Sequence, residues 1–167
     1  VYQNQVGNSA DINIILTAML REARLDANPV LSSTVSNGIP LFPTISGLNY
    51  IFTHVNINGD EFLLDATCEF SSPNLLPKRL LNWSGTVVKS DGYEKLDLIP
   101  KSRSTKKYQV QANLSEEGSM EGRCRIVSMD YFGMESRDDL DKKSKDELKL
   151  KYEKKFNLTG VSDISTT

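Results

Sequence analysis

The chain has 167 residues, of which 38% are hydrophobic and 25% are charged, and its formal net charge is −2. This composition predicts a globular protein with enough apolar material for a core, arranged as one domain or two small ones. The chain has no apolar run long enough to span a membrane and no basic face outside a charge-mixed C-terminal stretch, so membrane insertion and nucleic-acid binding are not expected.

The first predicted element is a helix that begins at Asn8 or Ser9 and ends near Ala23. Asn and Ser are favoured N-cap residues, and Asp11 in the first turn interacts favourably with the helix dipole. The apolar residues recur at spacings of three and four, which is typical of a helix with one buried face. They are Ile12, Ile15, Leu16, Met19, Leu20 and Ala23. We therefore expect Ser9 at the N-cap or in the first turn, and the apolar face on the core.

A strand, a loop and a β-hairpin are predicted next, from their β-forming residues and turn signals. The strand covers residues 28–34, the loop covers residues 36–47, and the hairpin strands cover residues 49–57 and 61–67. A sheet built from these strands gives the helix a surface on which to pack.

The turn dipeptide Asn58-Gly59 sets the register of this hairpin, because it favours a two-residue type I′ turn. In that register Phe52 lies opposite Asp65, and Tyr50 and His54 both lie diagonal to Asp65 on the same face. Diagonal neighbours are about 7–8 Å apart, so either side chain can reach the carboxylate. A carboxylate on this apolar face is costly unless it is hydrogen-bonded or paired, which predicts a structural role for Asp65.

Trp83 is the only tryptophan, and we expect it in the core rather than as a platform for a ligand. It lies in the segment 80–89, which contains a predicted strand at Val87-Val88 and is followed by a turn at residues 90–92. Near Pro100 the composition shifts. The predicted domains are therefore residues 1–99 and 100–167.

The second domain is predicted to contain an antiparallel hairpin with strands at residues 107–114 and 122–131, joined by Glu116-Glu117-Gly118. Residues 136–157 then predict one charged amphipathic helix. Its narrow apolar stripe runs through Ser144 and contains Leu140, Leu148, Tyr152 and Phe156. We expect this helix to pack on the hairpin, with binding to a partner protein as the alternative.

Several stretches of the first domain form a set: Gly7-Asn8-Ser9-Ala10-Asp11, Ala18-Met19-Leu20-Arg21, Asn28-Pro29-Val30-Leu31, Leu48-Asn49-Tyr50-Ile51, Leu64-Asp65-Ala66-Thr67 and Leu76-Pro77. With this set, residues 6–91 resemble the transglutaminase-like (papain-type) fold of large secreted or periplasmic proteins of Bacteroides-type bacteria. The glycines Gly118 and Gly122 and the stretch Tyr131-Phe132-Gly133 resemble the opening hairpin of the β-rich domain that follows in the family. The resemblance implies a periplasmic or secreted location and flanking domains of a larger cell-envelope protein.

The resemblance also implies where an active site would lie. Active members carry a Cys nucleophile at the helix start, a His on the first hairpin strand and an Asp on the second. These positions correspond to Ser9, Tyr50 and Asp65 here. A serine hydroxyl requires a strong adjacent base, and a phenol with a pKa near ~10 cannot be that base at neutral pH. The triad is therefore expected to be vestigial, with no catalytic residue.

Two alternatives remain open from the sequence. His54, the only histidine, could serve as the base of a hydrolase built from Ser9, His54 and Asp65. Otherwise a groove in which Tyr50, Phe52 or Trp83 supplies the contact surface could bind a peptide, a protein segment or a glycan.

The cysteines and the histidine do not form a metal-binding pattern. Cys68 and Cys124 are far apart in the sequence, and with a single histidine neither zinc nor any other metal or cofactor is expected. Cys68 is read as a buried free thiol, and a disulfide with Cys124 remains the alternative. The expected protein is thus an α+β, non-catalytic, transglutaminase-like module in which a helix packs on an antiparallel sheet, followed by a β-hairpin and a charged helix.

Overall fold

The computed structural model describes residues 6–40, 42, 44, 46–100 and 103–166. The chain divides into two compact units, residues 1–102 and 103–167, compared with predicted domains of 1–99 and 100–167. The first unit contains helix α1 (Ser9–Glu22) and strands β1 (Asp26–Ser32), β2 (Tyr50–Ile57), β3 (Asp60–Leu64), β4 (Ser84–Lys89) and β5 (Gly92–Asp97). The second contains strands β6 (Lys106–Leu114) and β7 (Met120–Ser128) and helices α2 (Tyr131–Lys142) and α3 (Lys145–Phe156).

Among the residues that the structure describes in the first unit, one α-helix packs on one antiparallel sheet, which confirms the predicted α+β class. The sheet has five strands in the order β3-β2-β1-β4-β5, and every neighbouring pair is antiparallel. Helix α1 packs against β1 and β2. The central strands of the sheet are therefore the ones that carry the helix.

Helix α1 begins with a capping box formed by Asn8 and Asp11. The Asn8 side chain accepts a hydrogen bond from the Asp11 backbone amide at 2.9 Å, and the Asp11 carboxylate accepts one from the Asn8 amide at 3.0 Å. The prediction that the buried face of α1 is apolar was wrong at the centre of the helix, where the buried residues are Asn13 and Thr17. Met19, expected on the buried face, is 62% exposed. The reason is that polar contacts to the hairpin, described below, occupy the middle of this helix–sheet interface.

The register predicted for the first hairpin is confirmed. Ile57 pairs with Asp60 across the two-residue turn Asn58-Gly59, whose φ angles of 54° and 95° are both positive, as a type I′ turn requires. The second strand ends at Leu64, so Asp65 lies just beyond it rather than within it. The outer edge of β3 is closed by Asn74, which accepts a hydrogen bond from the Leu63 amide and donates one to the Leu63 carbonyl.

Strand β1 pairs with β4 only over Val30, Leu31 and Ser32. Pro29, which has no amide hydrogen, lies where this pairing stops. Strand β5 was not predicted, because the exposed edge sequence Gly92–Asp97 lacks an apolar alternation.

The main core lies on the sheet face opposite α1. Its buried apolar residues are Val30, Tyr50, Phe52, Leu76, Leu80, Val87 and Leu98. Trp83 was wrongly placed in the core, since it is 65% exposed. The segment leading into β4 turns at Trp83, where φ is +66°, and this turn directs the indole away from the core.

The second unit contains the predicted hairpin, but its second strand ends at Ser128. Tyr131 and the residues after it begin helix α2 instead of continuing a strand, so the family-like hairpin assignment of Tyr131-Phe132-Gly133 was wrong. A strand cannot continue here because Asp130 adopts a positive φ of 52°. The chain therefore turns away from the hairpin at this residue.

The single helix predicted for residues 136–157 is also wrong, because two helices are present. Ser144 is the N-cap of α3 and forms a capping box with Glu147, so the apolar stripe is interrupted where a helix begins. Asp139 of α2 pairs with both Lys143 and Lys151, which ties the two helices together. Leu148 is the buried residue of α3, at 3% exposure.

Candidate functional site

The candidate site is centred on the carboxylate of Asp65. Because Thr53 pairs with Leu64, the register brings Phe52 opposite Asp65 and leaves Tyr50 diagonal to it. The Tyr50 hydroxyl donates a hydrogen bond of 3.0 Å to Oδ2 of Asp65. Two of the three residues that the resemblance assigns to a vestigial triad are thus in direct contact.

The other oxygen of the carboxylate is held by donors from two segments. Oδ1 accepts hydrogen bonds from Asn13 Nδ2 at 2.9 Å, from the Thr67 amide at 2.9 Å and from the Thr67 hydroxyl at 2.7 Å. Nη2 of Arg79 lies 3.7 Å from Oδ2. The Asp65 side chain has 0% exposure, and a buried carboxylate is tolerated only when such partners replace water.

Asn13 joins helix α1 to the hairpin. Its Nδ2 donates to the Ile51 carbonyl at 2.9 Å as well as to Asp65, and its Oδ1 accepts from the Ala66 amide at 2.9 Å. One turn further along the helix, the hydroxyls of Thr17 and Thr53 are 2.9 Å apart. These contacts fix the helix position relative to the end of β3.

Arg79 covers the outer side of this cluster. Its Nη2 donates to the Tyr50 hydroxyl at 2.8 Å and to the Thr67 hydroxyl at 2.9 Å, and its guanidinium lies 5.3 Å from the centre of the Tyr50 ring. The side chain of Arg79 is 47% exposed. The cation therefore compensates the buried carboxylate from the protein surface.

The hydroxyls of Tyr50 and Thr67 lie 2.6 Å apart and both contact Asp65. Each hydroxyl has one proton to donate, whereas there are three contacts: Tyr50 to Thr67, Tyr50 to Asp65 and Thr67 to Asp65. If one hydroxyl donates its proton to the other, the second hydroxyl donates its own proton to the carboxylate. Burial raises the pKa of the Tyr50 phenol, the charge of Asp65 adds to this effect, and Arg79 and Thr67 oppose it. Tyr50 consequently stays protonated at neutral pH and cannot accept a proton from a nucleophile.

Ser9 lies at the first position of α1, directly after the N-cap Asn8, and is half-buried. It therefore occupies the first turn, as predicted. Among the described residues, neither Asp65 nor His54 receives a hydrogen bond from the Ser9 hydroxyl.

His54 lies on the same strand as Tyr50 but does not reach Asp65. Its Nε2 is 3.6 Å from a carboxylate oxygen of Glu61, and its Nδ1 is buried without a hydrogen-bond partner in the described structure. The side chain of His54 is 6% exposed, whereas that of Glu61 is 56% exposed. The sequence left both Tyr50 and His54 as possible partners of Asp65. In the structure the Asp65 carboxylate is hydrogen-bonded to Tyr50.

The aromatic residues considered for a binding groove differ sharply in exposure. Tyr50 and Phe52 are 8% and 0% exposed, so they offer no contact surface, whereas Trp83 is 65% exposed.

A separate cleft of about 510 Å³ lies where β1 and β4 diverge, next to Pro29. Its lining includes Arg21 and Lys89 but no residue of the Asp65 cluster.

Sequence reasoning missed Asn13 and Arg79, which complete the cluster. Asn13 carries a readable signal, since it is a polar residue inside the apolar run Ile12–Leu16 and lies four residues before Thr17. Arg79 carries no comparable signal, because its partner Tyr50 is 29 residues away and no motif connects them.

Within the described residues, no group of three or more His, Cys, Asp or Glu side chains is placed to hold a metal ion. Cys68 and Cys124 are not joined by a disulfide. None of the helices in the described part of the chain is both long enough and apolar enough to cross a bilayer.

The chain matches no protein-family model, no curated protein and no solved structure. The resemblance to the transglutaminase-like fold therefore stands on the sequence stretches quoted above.

Proposed function

We propose that the first unit is a non-catalytic transglutaminase-like module, which serves as a scaffold or binding domain in a larger cell-envelope protein that is periplasmic or secreted. The proposal is based on the set of hydrogen-bond partners that surrounds the Asp65 carboxylate. In active members of the family this carboxylate orients the catalytic base. Here it is bonded to the phenol of Tyr50, to Asn13 and to Thr67, with Arg79 beside it.

The lack of a proton acceptor for the Ser9 hydroxyl supports a non-catalytic role. A serine nucleophile needs a neighbouring group that accepts its proton. Tyr50 retains its own proton, since its pKa is raised, and His54 is directed to Glu61. The contacts of Asp65 instead serve to join α1 to the hairpin, which is a structural task.

A serine-directed fluorophosphonate probe tests the proposal directly. We expect no labelling of Ser9 in the full chain at pH 7 to 8, with a serine hydrolase as the positive control. Peptide mapping by mass spectrometry identifies any labelled residue. Labelling of Ser9 that disappears in His54→Ala and persists in Tyr50→Phe would establish the hydrolase alternative instead.

Restoring the family residues tests the resemblance itself. In a background with Cys68→Ser and Cys124→Ser, we expect Ser9→Cys together with Tyr50→His to react with iodoacetamide at pH 6 to 7 faster than Ser9→Cys alone. The reason is that an imidazole at position 50, oriented by Asp65, favours the thiolate. Equal rates in the two variants would mean that position 50 does not face position 9, and the proposed family frame would fail.

A second candidate function is recognition of a peptide or glycan, and the exposure of Trp83 favours it. A bulky residue at positive φ is uncommon and is held there only by surrounding structure. The neighbouring Asn82 supplies that structure, since its amide donates to the carbonyls of Ser33, Thr34 and Gly38. Titration with peptide or glycan panels by isothermal titration calorimetry, repeated with Trp83→Ala, distinguishes a binding surface from an inert exposed indole.

A further inference from the structure

The cleft beside Pro29 contains a cation that is fixed to the sheet by part of its hydrogen-bond donors. The cleft volume of about 510 Å³ is within the range of small-ligand sites. Arg21, in the last turn of α1, belongs to its lining. Nε of Arg21 donates to the Ala27 carbonyl at 2.6 Å, and Nη2 donates to Oδ1 of Asn28 at 3.0 Å. Both acceptor residues are buried, so the guanidinium is held in one orientation.

The other donors of Arg21 are available to a ligand. A guanidinium has five N–H groups, and the two bonds to β1 use two of them. Among the described residues no carboxylate forms an ion pair with Arg21, whereas Lys89, the second cation of the lining, is paired with Glu94. Nη1 and Nη2 together can bind a carboxylate through two parallel hydrogen bonds. Arg21 is thus a preformed anion-binding group.

The rest of the lining selects the kind of anion. Asp26 lies in the same lining, and its Oδ1 accepts a hydrogen bond of 2.8 Å from Asn28 Nδ2. Its charge repels a phosphate group more strongly than a carboxylate, because a phosphate monoester carries about 1.5 to 2 negative charges at pH 7 and a carboxylate carries one. The lining also has apolar residues, namely Leu25, Ala27, Pro29 and Val88. A carboxylate with an apolar group beside it matches both properties.

The position of the cleft between two strands favours a peptide as the carrier of this carboxylate. Strand β1 pairs with β4 only over residues 30–32 and 85–87, so the facing strand edges are not paired with each other along the cleft. An extended peptide can form main-chain hydrogen bonds along such an edge. A fatty acid or a sugar acid has no backbone with which to do so.

We propose that this cleft binds the C-terminal carboxylate of an extended peptide whose last residue is apolar. Nη1 and Nη2 of Arg21 hold the carboxylate, and Leu25 and Val88 contact the last side chain. The site is independent of both functions considered above, because neither Trp83 nor a residue of the Asp65 cluster lines the cleft.

An NMR titration of the ¹⁵N-labelled full chain tests the proposal. The probe is N-acetyl-Ala-Ala-Leu with a free C-terminus, and the matched probe is the same tripeptide with a C-terminal amide. We expect saturable shifts of the Ala27, Val88 and Ser90 amides with the acid, and about tenfold weaker binding of the amide, because hydrogen bonds to a charged acceptor are lost. Absence of shifts at these amides, or equal binding of the two peptides, would overturn the proposal.

Three variants distinguish ligand binding from a purely structural role of Arg21. Arg21→Lys keeps the charge but lacks the fork, and we expect about tenfold weaker binding. Arg24→Lys is the matched control, since Arg24 is exposed and does not line the cleft, and it should leave binding unchanged. Asp26→Asn removes the like charge, and we expect about threefold tighter binding at low salt.

Urea denaturation verifies that each variant is folded. Wild-type affinity in Arg21→Lys, or affinity in Asp26→Asn that does not exceed that of wild type, would mean that the carboxylate does not bind beside these residues.

Hexanoate and glucuronate separate a peptide from other carboxylates. Both carry the charged group without a peptide backbone, and we expect each to bind about tenfold more weakly than the tripeptide, because the main-chain hydrogen bonds are lost. Equal or tighter binding of hexanoate would indicate a fatty acid as the ligand. Equal or tighter binding of glucuronate would indicate an acidic glycan, and either result would overturn the assignment to a peptide.

Discussion

The hydroxyl of Tyr50 donates a hydrogen bond of 3.0 Å to Oδ2 of Asp65. Tyr50 begins the first strand of the hairpin and Asp65 directly follows the second, and both residues are at least nine-tenths buried. This contact places a phenol against the carboxylate that in the resembled family orients an imidazole. Because the pKa of the Tyr50 phenol is raised, mainly by burial, the contact is a structural hydrogen bond at neutral pH.

Removal of the carboxylate is expected to destabilise the first unit. Asp65→Ala leaves the Asn13 amide, the Thr67 amide and two hydroxyls without their buried acceptor, and we expect a loss of about 3 kcal/mol in the free energy of unfolding. Urea denaturation followed by Trp83 fluorescence measures it, because Trp83 is the only tryptophan and lies in this unit. The matched control Asp60→Ala removes an exposed carboxylate of the same hairpin and should change stability by less than about 0.5 kcal/mol. Equal effects of the two substitutions would contradict the role given to Asp65.

The buried phenol of Tyr50 leads us to expect that wild type and Tyr50→Phe differ in how their stability changes at alkaline pH. Its pKa is raised in the folded state, mainly by burial, so the folded protein holds this proton more tightly than the unfolded chain does. The resulting stabilisation is complete below the unfolded pKa of about 10 and is lost as the pH rises through the folded pKa. Relative to wild type, Tyr50→Phe should therefore lose less stability between pH 9 and pH 11.5.

Urea midpoints measured across this pH range provide the comparison. Tyr93→Phe is the matched control, because Tyr93 is 77% exposed on β5 of the same unit. It should follow the wild-type profile. If Tyr50→Phe also follows the wild-type profile, the buried phenol is not the group that titrates.

Asn13 predicts that the polar centre of the helix–sheet interface is essential. In Asn13→Ala the Ala66 amide and the Ile51 carbonyl each lose the hydrogen bond to Asn13, and Asp65 loses a donor. We expect a loss of about 2–3 kcal/mol, measured by urea denaturation. Ile14→Ala is the control at the next helix position, where the side chain is 49% exposed. A larger loss for Ile14→Ala would mean that apolar burial, not the amide, holds the helix.

The features that the sequence predicted correctly are those set by local chemistry. Asn58-Gly59 fixed the hairpin register because few residues accept two successive positive φ angles. The choice between Tyr50 and His54 as partner of Asp65 could not be made in the same way, since both are diagonal neighbours. It depends on Asn13 and Arg79, which approach from segments distant in the sequence.

The errors in the second unit have a different origin. A capping box is present in the sequence at Ser144 and Glu147, but the apolar stripe continues through Ser144, and periodicity suggested one helix. The strand predicted to extend to Tyr131 ends earlier because Asp130 takes a positive φ, for which aspartate gives only a weak sequence signal.

Trp83 predicts an unusual order of stabilities among its variants. Its φ of +66° is unfavourable for any residue with a Cβ atom and favourable for glycine. Trp83→Gly should therefore be more stable than Trp83→Ala by about 1 kcal/mol, measured by urea denaturation with far-UV circular dichroism. At Tyr93, an exposed strand residue without a positive φ, the order should reverse, because glycine is unfavourable within a strand. The same order at both positions would contradict backbone strain at Trp83. A strained and exposed tryptophan is otherwise a cost to stability, and the surface around it is the place where binding assays should begin.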